Sequence, residues 1–177
     1  MLKIIITGPE SSGKTTLHKA LVKHFNLPDA KEYAREYLDA LNRKYNQNDL
    51  LKIAKGQLLS EHNTQILDTD LITIKIWSNY KYGNCDKWIL SQIEKQKTNK
   101  RFYLLCKPDI PWKEDSQREN PNDREELFEI YKKEIENLGH SYLIVEGKNR
   151  LEQVIKKLNH KYNVTFQYIS TFQLSHI

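Results

Sequence analysis

The chain has 177 residues, 38% hydrophobic and 29% charged, a balance that suits one globular domain with a substantial core and excludes a disordered chain. Its 28 lysines and arginines against 23 aspartates and glutamates leave a formal net charge of +5, but acids are interspersed nearly everywhere. That spread argues against a nucleic-acid binder, which concentrates its basic residues in a stripe or tail, and suits a phosphate-rich small ligand. Cys85 and Cys106 form neither a metal-ligand spacing nor a disulfide framework, and no apolar run reaches the length of a signal peptide or membrane span, so the expected location is the cytoplasm.

The first predicted element is a strand, LKIIIT (2–7), apolar and β-branched as a strand buried on both faces should be. It runs directly into GPESSGKT (8–15), which fits the phosphate-loop pattern G-x-x-x-x-G-K-[ST] with Gly8, Gly13, Lys14 and Thr15 in the fixed places. A chance match in a chain of this length has a probability below about 1%. The position between a strand and a helix is the one the chemistry requires. Glycines let the backbone N–H groups of Gly8, Pro9, Glu10, Ser11, Ser12 and Gly13 converge on an anion, proline excepted, and the helix beginning near Thr16 turns its positive end to the same charge. Lys14 is then expected on the β- and γ-phosphates of ATP and the Thr15 hydroxyl on Mg²⁺.

Leu17, Ala20, Leu21 and Phe25 recur at helical spacing before Pro28 stops the helix. DAKEYA (29–34) is a weak second strand. It leads into KEYAREYL (31–38), whose Glu32, Arg35 and Glu36 fall where open α/β sheets bind ligands. A carboxylate there can act as catalytic base or ribose anchor; the alternative is a solvated helix whose charges pair among themselves. Residues 50–63 read as a helix, and QILDTD (65–70) as a short strand running into acids. Asp68 is the expected magnesium partner at the strand end. Asp70, on the same face of an extended segment, either meets the substrate or caps the helix that begins at Leu71.

Residues 71–97 are helical with a break at Gly83-Asn84, and their aromatics Trp77, Tyr80 and Tyr82 either pack in the core or stack on a ligand. RFYLLC (101–106) is a strand. The long polar stretch after it, about 109–122, has the character of a lid, with Arg118 and Arg124 able to neutralise a transferred phosphoryl group. A helix with Asn120-Pro121 at its start and Gly139 at its end follows, then the strand SYLIVEG (141–147). Gly147 and Arg150 are candidates for the nucleotide's adenine side, or for a plain strand-to-helix turn. A last helix carries Leu151, Val154, Ile155 and Leu158 on one stripe. The expected architecture is a three-layer α/β/α P-loop kinase fold with a mainly parallel five-stranded sheet, one domain over 1–162, and a tail (163–177) that alternates like an edge strand from Val164.

TGPESSGKTTL, EYAREYL, LDTDLITIKIWSNYKYG and KPDIPWKEDSQRENPNDREELF together resemble, in content and order, the ribosylnicotinamide kinase domain of NadR-type proteins and related stand-alone AAA-type ATPase domains. The first segment is common to many P-loop proteins; the third and fourth are much more specific. The resemblance covers about residues 3–158. It implies transfer of the ATP γ-phosphate to the 5′-hydroxyl of nicotinamide riboside, with Lys14 on phosphate, Thr15 and Asp68 on Mg²⁺, and Arg118 and Arg124 in the lid. It also implies a riboside pocket drawn from Tyr33, Glu36, Asp70, Trp77 and Trp112, beside Arg35, where an aromatic wall suits a positively charged pyridinium ring. Bifunctional members carry an adenylyltransferase domain ahead of the kinase; with the glycine loop starting at Gly8, the kinase step alone is expected. The readings that compete with this one are a kinase for another nucleoside or nucleotide and an ATP-dependent switch.

Overall fold

Ile4, Ile5 and Ile6 are fully buried, and their alternation explains the layering. In the computed structural model, which describes residues 1–28 and 32–162, they form the centre of strand β1 (Lys3–Thr7). Successive side chains of a strand point to opposite faces. Ile4 and Ile6 therefore meet one helical layer and Ile5 the other. The same alternation recurs in β3 (Arg101–Cys106), with Phe102, Leu104 and Cys106 on the first face and Tyr103 and Leu105 on the second.

Strands β2 (Ile66–Asp68), β1, β3 and β4 (Ser141–Val145) lie in that order, every neighbouring pair parallel. The sheet among the described residues thus has four strands, not the five expected. Of the residues 29–34 expected as a weak second strand, 29–31 lie outside the described residues, and Tyr33 and Ala34 already belong to helix α2 (Tyr33–Asp39). The alternating tail likewise lies outside the described residues.

Helices α1 (Lys14–His24) and α7 (Arg150–Tyr162) cover the first face, where Leu17, Leu21, Val154 and Leu158 join the core. Helices α4 (Leu71–Tyr82) and α6 (Arg124–Asn137) cover the second with Ile72, Ile76, Leu127, Phe128, Tyr131 and Ile135. Outside α4, helices α2, α3 (Gln47–Ser60) and α5 (Lys87–Gln96) build a further cluster around Leu50, Ile53, Leu71, Ile74, Ile89 and Ile93. The interruption expected at Gly83 is real: Gly83 sits at φ 73°, ends α4 in the left-handed region, and Asp86 then caps α5 through the Trp88 N–H at 2.7 Å.

Two boundaries move. Helix α3 opens three residues early because Asn46 and Asp49 form a reciprocal capping box. Helix α6 opens at Arg124 behind Asp123, so Asn120-Pro121 belongs to the preceding loop. No helix among the described residues is long and apolar enough to cross a membrane.

The candidate phosphate and acceptor site

The carboxyl end of β1 turns through residues 8–13 into α1, and the turn depends on two glycines. Gly8 adopts φ 134°, and a Cβ there would stand 2.6 Å from the Cys106 carbonyl oxygen. Gly13 caps α1 at φ 82°, with the Arg150 guanidinium 3.2 Å from where its Cβ would be. Ser11 also takes a positive φ, 51°. The buried Ser12 hydroxyl donates to the Pro9 carbonyl at 2.7 Å, bracing the loop, and the Lys14 ammonium arches back to the same carbonyl at 2.7 Å. Such a turn ahead of a helix N-terminus can cradle a phosphate through backbone N–H groups.

A cavity of about 130 Å³ opens on this loop, walled by Glu32 and Arg35, by Thr69, Thr73 and Trp77, by Gln117 and Arg118, and by Tyr131. A second cavity of about 270 Å³ adjoins it, and Glu10, Trp77 and Gln117 line both. The second is aromatic, with Tyr45, Trp77 and Tyr80 in its wall, and carries Lys81 and Glu119. The site therefore has a phosphate end and an aromatic end that share walls.

The polar stretch expected to act as a lid borders both, through Gln117, Arg118 and Glu119. Glu10 accepts the backbone N–H groups of Glu119 and Asn120 at 3.0 and 2.9 Å, and the Ser11 hydroxyl accepts that of Lys113 at 2.9 Å. Arg124 donates to the carbonyls of Ser11 and Ile110 at 3.3 and 2.9 Å. On the far side, Arg35 pairs with Asp115 at 3.1 Å, and Gln117 donates to Asp39 at 2.5 Å. Arg150 joins the base of the lid to the phosphate loop: its guanidinium donates to Ser12 and Lys107 carbonyls and pairs with Asp109, which also receives the Gly147 N–H at 2.6 Å.

Glu32, at the N-terminus of α2, is a carboxylate of the phosphate cavity's wall. Burial, then repulsion by the Asp68 carboxylate, raises its pKa from the ordinary 4.5 to about 6, against the opposing pull of Lys14 and Arg35. Asp68 ends β2, is buried, and leaves Oδ1 without a hydrogen-bond partner. An anionic oxygen so placed is a ready seat for a cation or its bound water.

Four expectations are corrected by placement. Asp70 is fully buried: one carboxylate oxygen caps α4 through the Ile72 N–H at 3.1 Å, and the other receives Arg101 at 3.1 Å and the Tyr103 hydroxyl at 2.7 Å. Thr69 between the two acids takes φ 70°, so the extended geometry that would have put Asp68 and Asp70 on one face is broken. Glu36 is exposed on α2 and lines neither cavity, one turn away from Glu32, which lines the first. Tyr33 packs on α3, where Gly56 makes room for its ring. Trp112 lines neither cavity; the guanidinium carbons of Arg118 and Arg124 stand 6.0 and 5.8 Å from its ring centre. Arg35, Trp77 and Arg118, by contrast, do line the phosphate cavity. Tyr45, Lys81, Glu119, Thr69, Thr73 and Tyr131 were not anticipated as site residues, and no local pattern marks them.

A family model for an AAA domain matches residues 3–153. The trifunctional NAD biosynthesis/regulator protein NadR of Escherichia coli is 24% identical over 159 residues, covering 82% of this chain and 38% of that protein. The protein of the same name from Salmonella typhimurium is 25% identical over 126 residues, covering 65% of this chain and 30% of its own length. The chain thus spans less than half the length of these curated relatives. A crystal structure of NadR in complex with NR superposes with a TM-score of 0.68 at 22% identity, over 96% of this chain and 53% of that one. Deoxyadenosine kinase from M. mycoides superposes with a TM-score of 0.59 at 19% identity, over 90% of this chain and all of the other (100%). These likenesses make the fold that of the P-loop kinases. Since the family match begins at the first residue of β1 and ends inside α7, it takes in the whole described sheet, and the chain belongs to the AAA domain family.

Proposed function

We propose that this chain is an ATP-dependent kinase that phosphorylates a hydroxyl of a nucleoside-type small molecule, with the 5′-hydroxyl of nicotinamide riboside as the favoured acceptor. The observation that carries the reading is the shared wall between a phosphate-loop cavity and an aromatic one. A hydrolase or switch needs only the first. A nucleoside kinase must bring a planar ring and its ribose hydroxyl up to the γ-phosphate, and the adjoining cavity is suited to that.

In this reading the backbone of residues 8–13 and the Lys14 ammonium hold the β- and γ-phosphates. Thr15 and Asp68 are the residues that would hold Mg²⁺, and the unpartnered Oδ1 of Asp68 fits that role. The ion when bound supplies charge neutralisation at the phosphates. Glu32 is the base: its raised pKa makes it more basic than an ordinary carboxylate while leaving it ionised at neutral pH, able to accept the proton of the attacking hydroxyl. Arg118 faces the phosphate cavity from the lid and balances charge on the transferred group, while Arg124 holds the lid's Ile110 and the loop's Ser11 together and so positions the lid. The docked lid shields the reaction from water, without which a kinase becomes an ATPase.

The resemblance of the motif segments and the superposition on NadR with NR support nicotinamide riboside as acceptor. The superposition over the full length of deoxyadenosine kinase keeps a second acceptor class, the deoxynucleosides, in the reading. The test is ADP release from Mg-ATP with nicotinamide riboside and with a panel of nucleosides and nucleotides. Stimulation by nicotinamide riboside alone is the expected result. Stimulation by another compound keeps the mechanism and replaces the acceptor, and tight ATP binding with no stimulation by any of them overturns the kinase reading.

A further inference from the structure

The aromatic cavity already contains a cation. The Lys81 ammonium stands 3.9 Å from the ring centre of Tyr45 and 2.8 and 3.0 Å from the two carboxylate oxygens of Glu119. The Tyr45 hydroxyl donates to the same carboxylate at 2.7 Å, so one lid residue gathers both. Tyr45 in turn faces Trp77 nearly parallel, 29° between planes and 6.5 Å between centres. A π face on one side and a carboxylate on the other make a seat for positive charge.

Lys81 lies in the last turn of α4, where a basic side chain suits the helix dipole even when it extends into solvent. Instead it folds back over Tyr45. Its pair with Glu119 is exposed, 36% and 45% for the two side chains, and exposed pairs of this kind are weak enough to open for a ligand. Glu10 and Glu119 are the carboxylates of the cavity wall and Lys81 its one ammonium, so the lysine halves the negative charge an entering ring would meet.

We propose that Lys81 is the charge gate of the acceptor pocket, a resident cation that a positively charged aromatic ring must displace and a neutral ring need not. This makes Lys81 a determinant of specificity between cationic and neutral acceptors. It rests on the reading of the aromatic cavity as the acceptor site, and the test separates the two. Binding of the 1-methylnicotinamide cation and of neutral nicotinamide is measured by calorimetry on the wild-type chain, Lys81→Met and Lys81→Arg, beside kinetics with nicotinamide riboside.

Lys81→Met is expected to bind the cation about tenfold tighter, the effect of one like charge removed from a partly exposed site, with neutral nicotinamide changed less than about twofold. Lys81→Arg, which keeps the charge, is expected to behave as wild type. A parallel gain for both ligands would mean only a larger pocket, and an unchanged or weaker cation affinity, or no binding of either ligand to any of the proteins, overturns the gate. If nicotinamide riboside is not phosphorylated while the cation tightens on Lys81→Met, the gate stands and the acceptor assignment falls. Phosphorylation of nicotinamide riboside with no change on Lys81→Met gives the reverse.

Discussion

The loop that floors the phosphate end is one unbroken stretch, residues 8–16, whereas the walls above it and the whole aromatic end are collected from α2, the loop after it, α4, the 109–122 segment and α6. The first is held by neighbours in sequence: Ser12 and Lys14 both fold onto Pro9. The second is held by contacts that cross most of the chain, such as Tyr45 with Glu119 and Gln117 with Asp39. Chemistry that depends on backbone geometry can be written locally. Chemistry that depends on a shaped pocket needs the lid to bring distant side chains together.

The sharpest way to break this division is the pair of acids at the end of β2. Asp70 is bonded into the framework, whereas Asp68, which lines neither cavity, keeps an unpartnered Oδ1 and carries the proposed magnesium role. Asp70→Ala removes a helix cap and leaves Arg101 buried with one carboxylate fewer, which is expected to cost about 3–5 kcal/mol in urea melts. Asp68→Asn removes a buried charge whose Oδ1 has no partner; stability is expected to hold or rise, while the magnesium dependence of ADP release weakens. An unstable Asp68→Asn together with a stable Asp70→Ala would invert the assignment.

Next in size is Lys14→Ala. Its ammonium bonds back to the loop, so folding should be retained while ADP formation falls about 100- to 1000-fold, as when one preorganised charge is taken from a transferring group. Trp77→Ala should be milder and fall mainly on the acceptor, although the ring borders both cavities. Loss of one aromatic wall is worth about 1 kcal/mol, so the acceptor KM is expected to rise about fivefold with kcat little changed. Two-substrate kinetics check both, and a Trp77→Ala defect confined to the ATP KM would move that ring to the nucleotide side.

The same division explains what could be read from the sequence. The strand–loop–helix unit and four of the strands were legible because each is signalled by consecutive residues, as in KIIIT and RFYLLC. Asp70 misled because period-2 reasoning assumes an extended backbone, and the left-handed Thr69 between the acids is not marked by glycine. Glu36 and Glu32 are one helical turn apart with the same chemistry; only the start of α2 at Tyr33, with Glu32 as its cap, decides which one enters the cavity. Tyr33 turned out to belong to a helix contact because Gly56, remote in sequence, leaves space for it. Lys81 and Glu119 lack any sequence signal, since charged residues on a helix end and in a loop are ordinary.

Glu32 offers the finest test, because its two roles have opposite signs. Its folded pKa of about 6 lies above the ordinary 4.5, so the carboxyl favours the fold in its protonated form. That contribution is full below 4.5 and disappears as the pH rises through about 6, where the charged group must sit buried beside Asp68. Glu32→Gln stays neutral throughout, so relative to wild type it should gain thermal stability between pH 4.5 and about 6 and keep the gain above that window. Activity should move the other way. The wild-type kcat/KM is expected to climb through the same window as the base ionises, and Glu32→Gln should lose that limb and fall about 100-fold or more at neutral pH. A variant that loses both activity and stability at pH 7 would make Glu32 a structural acid, and one that gains stability without losing turnover would place the base elsewhere on the cavity wall.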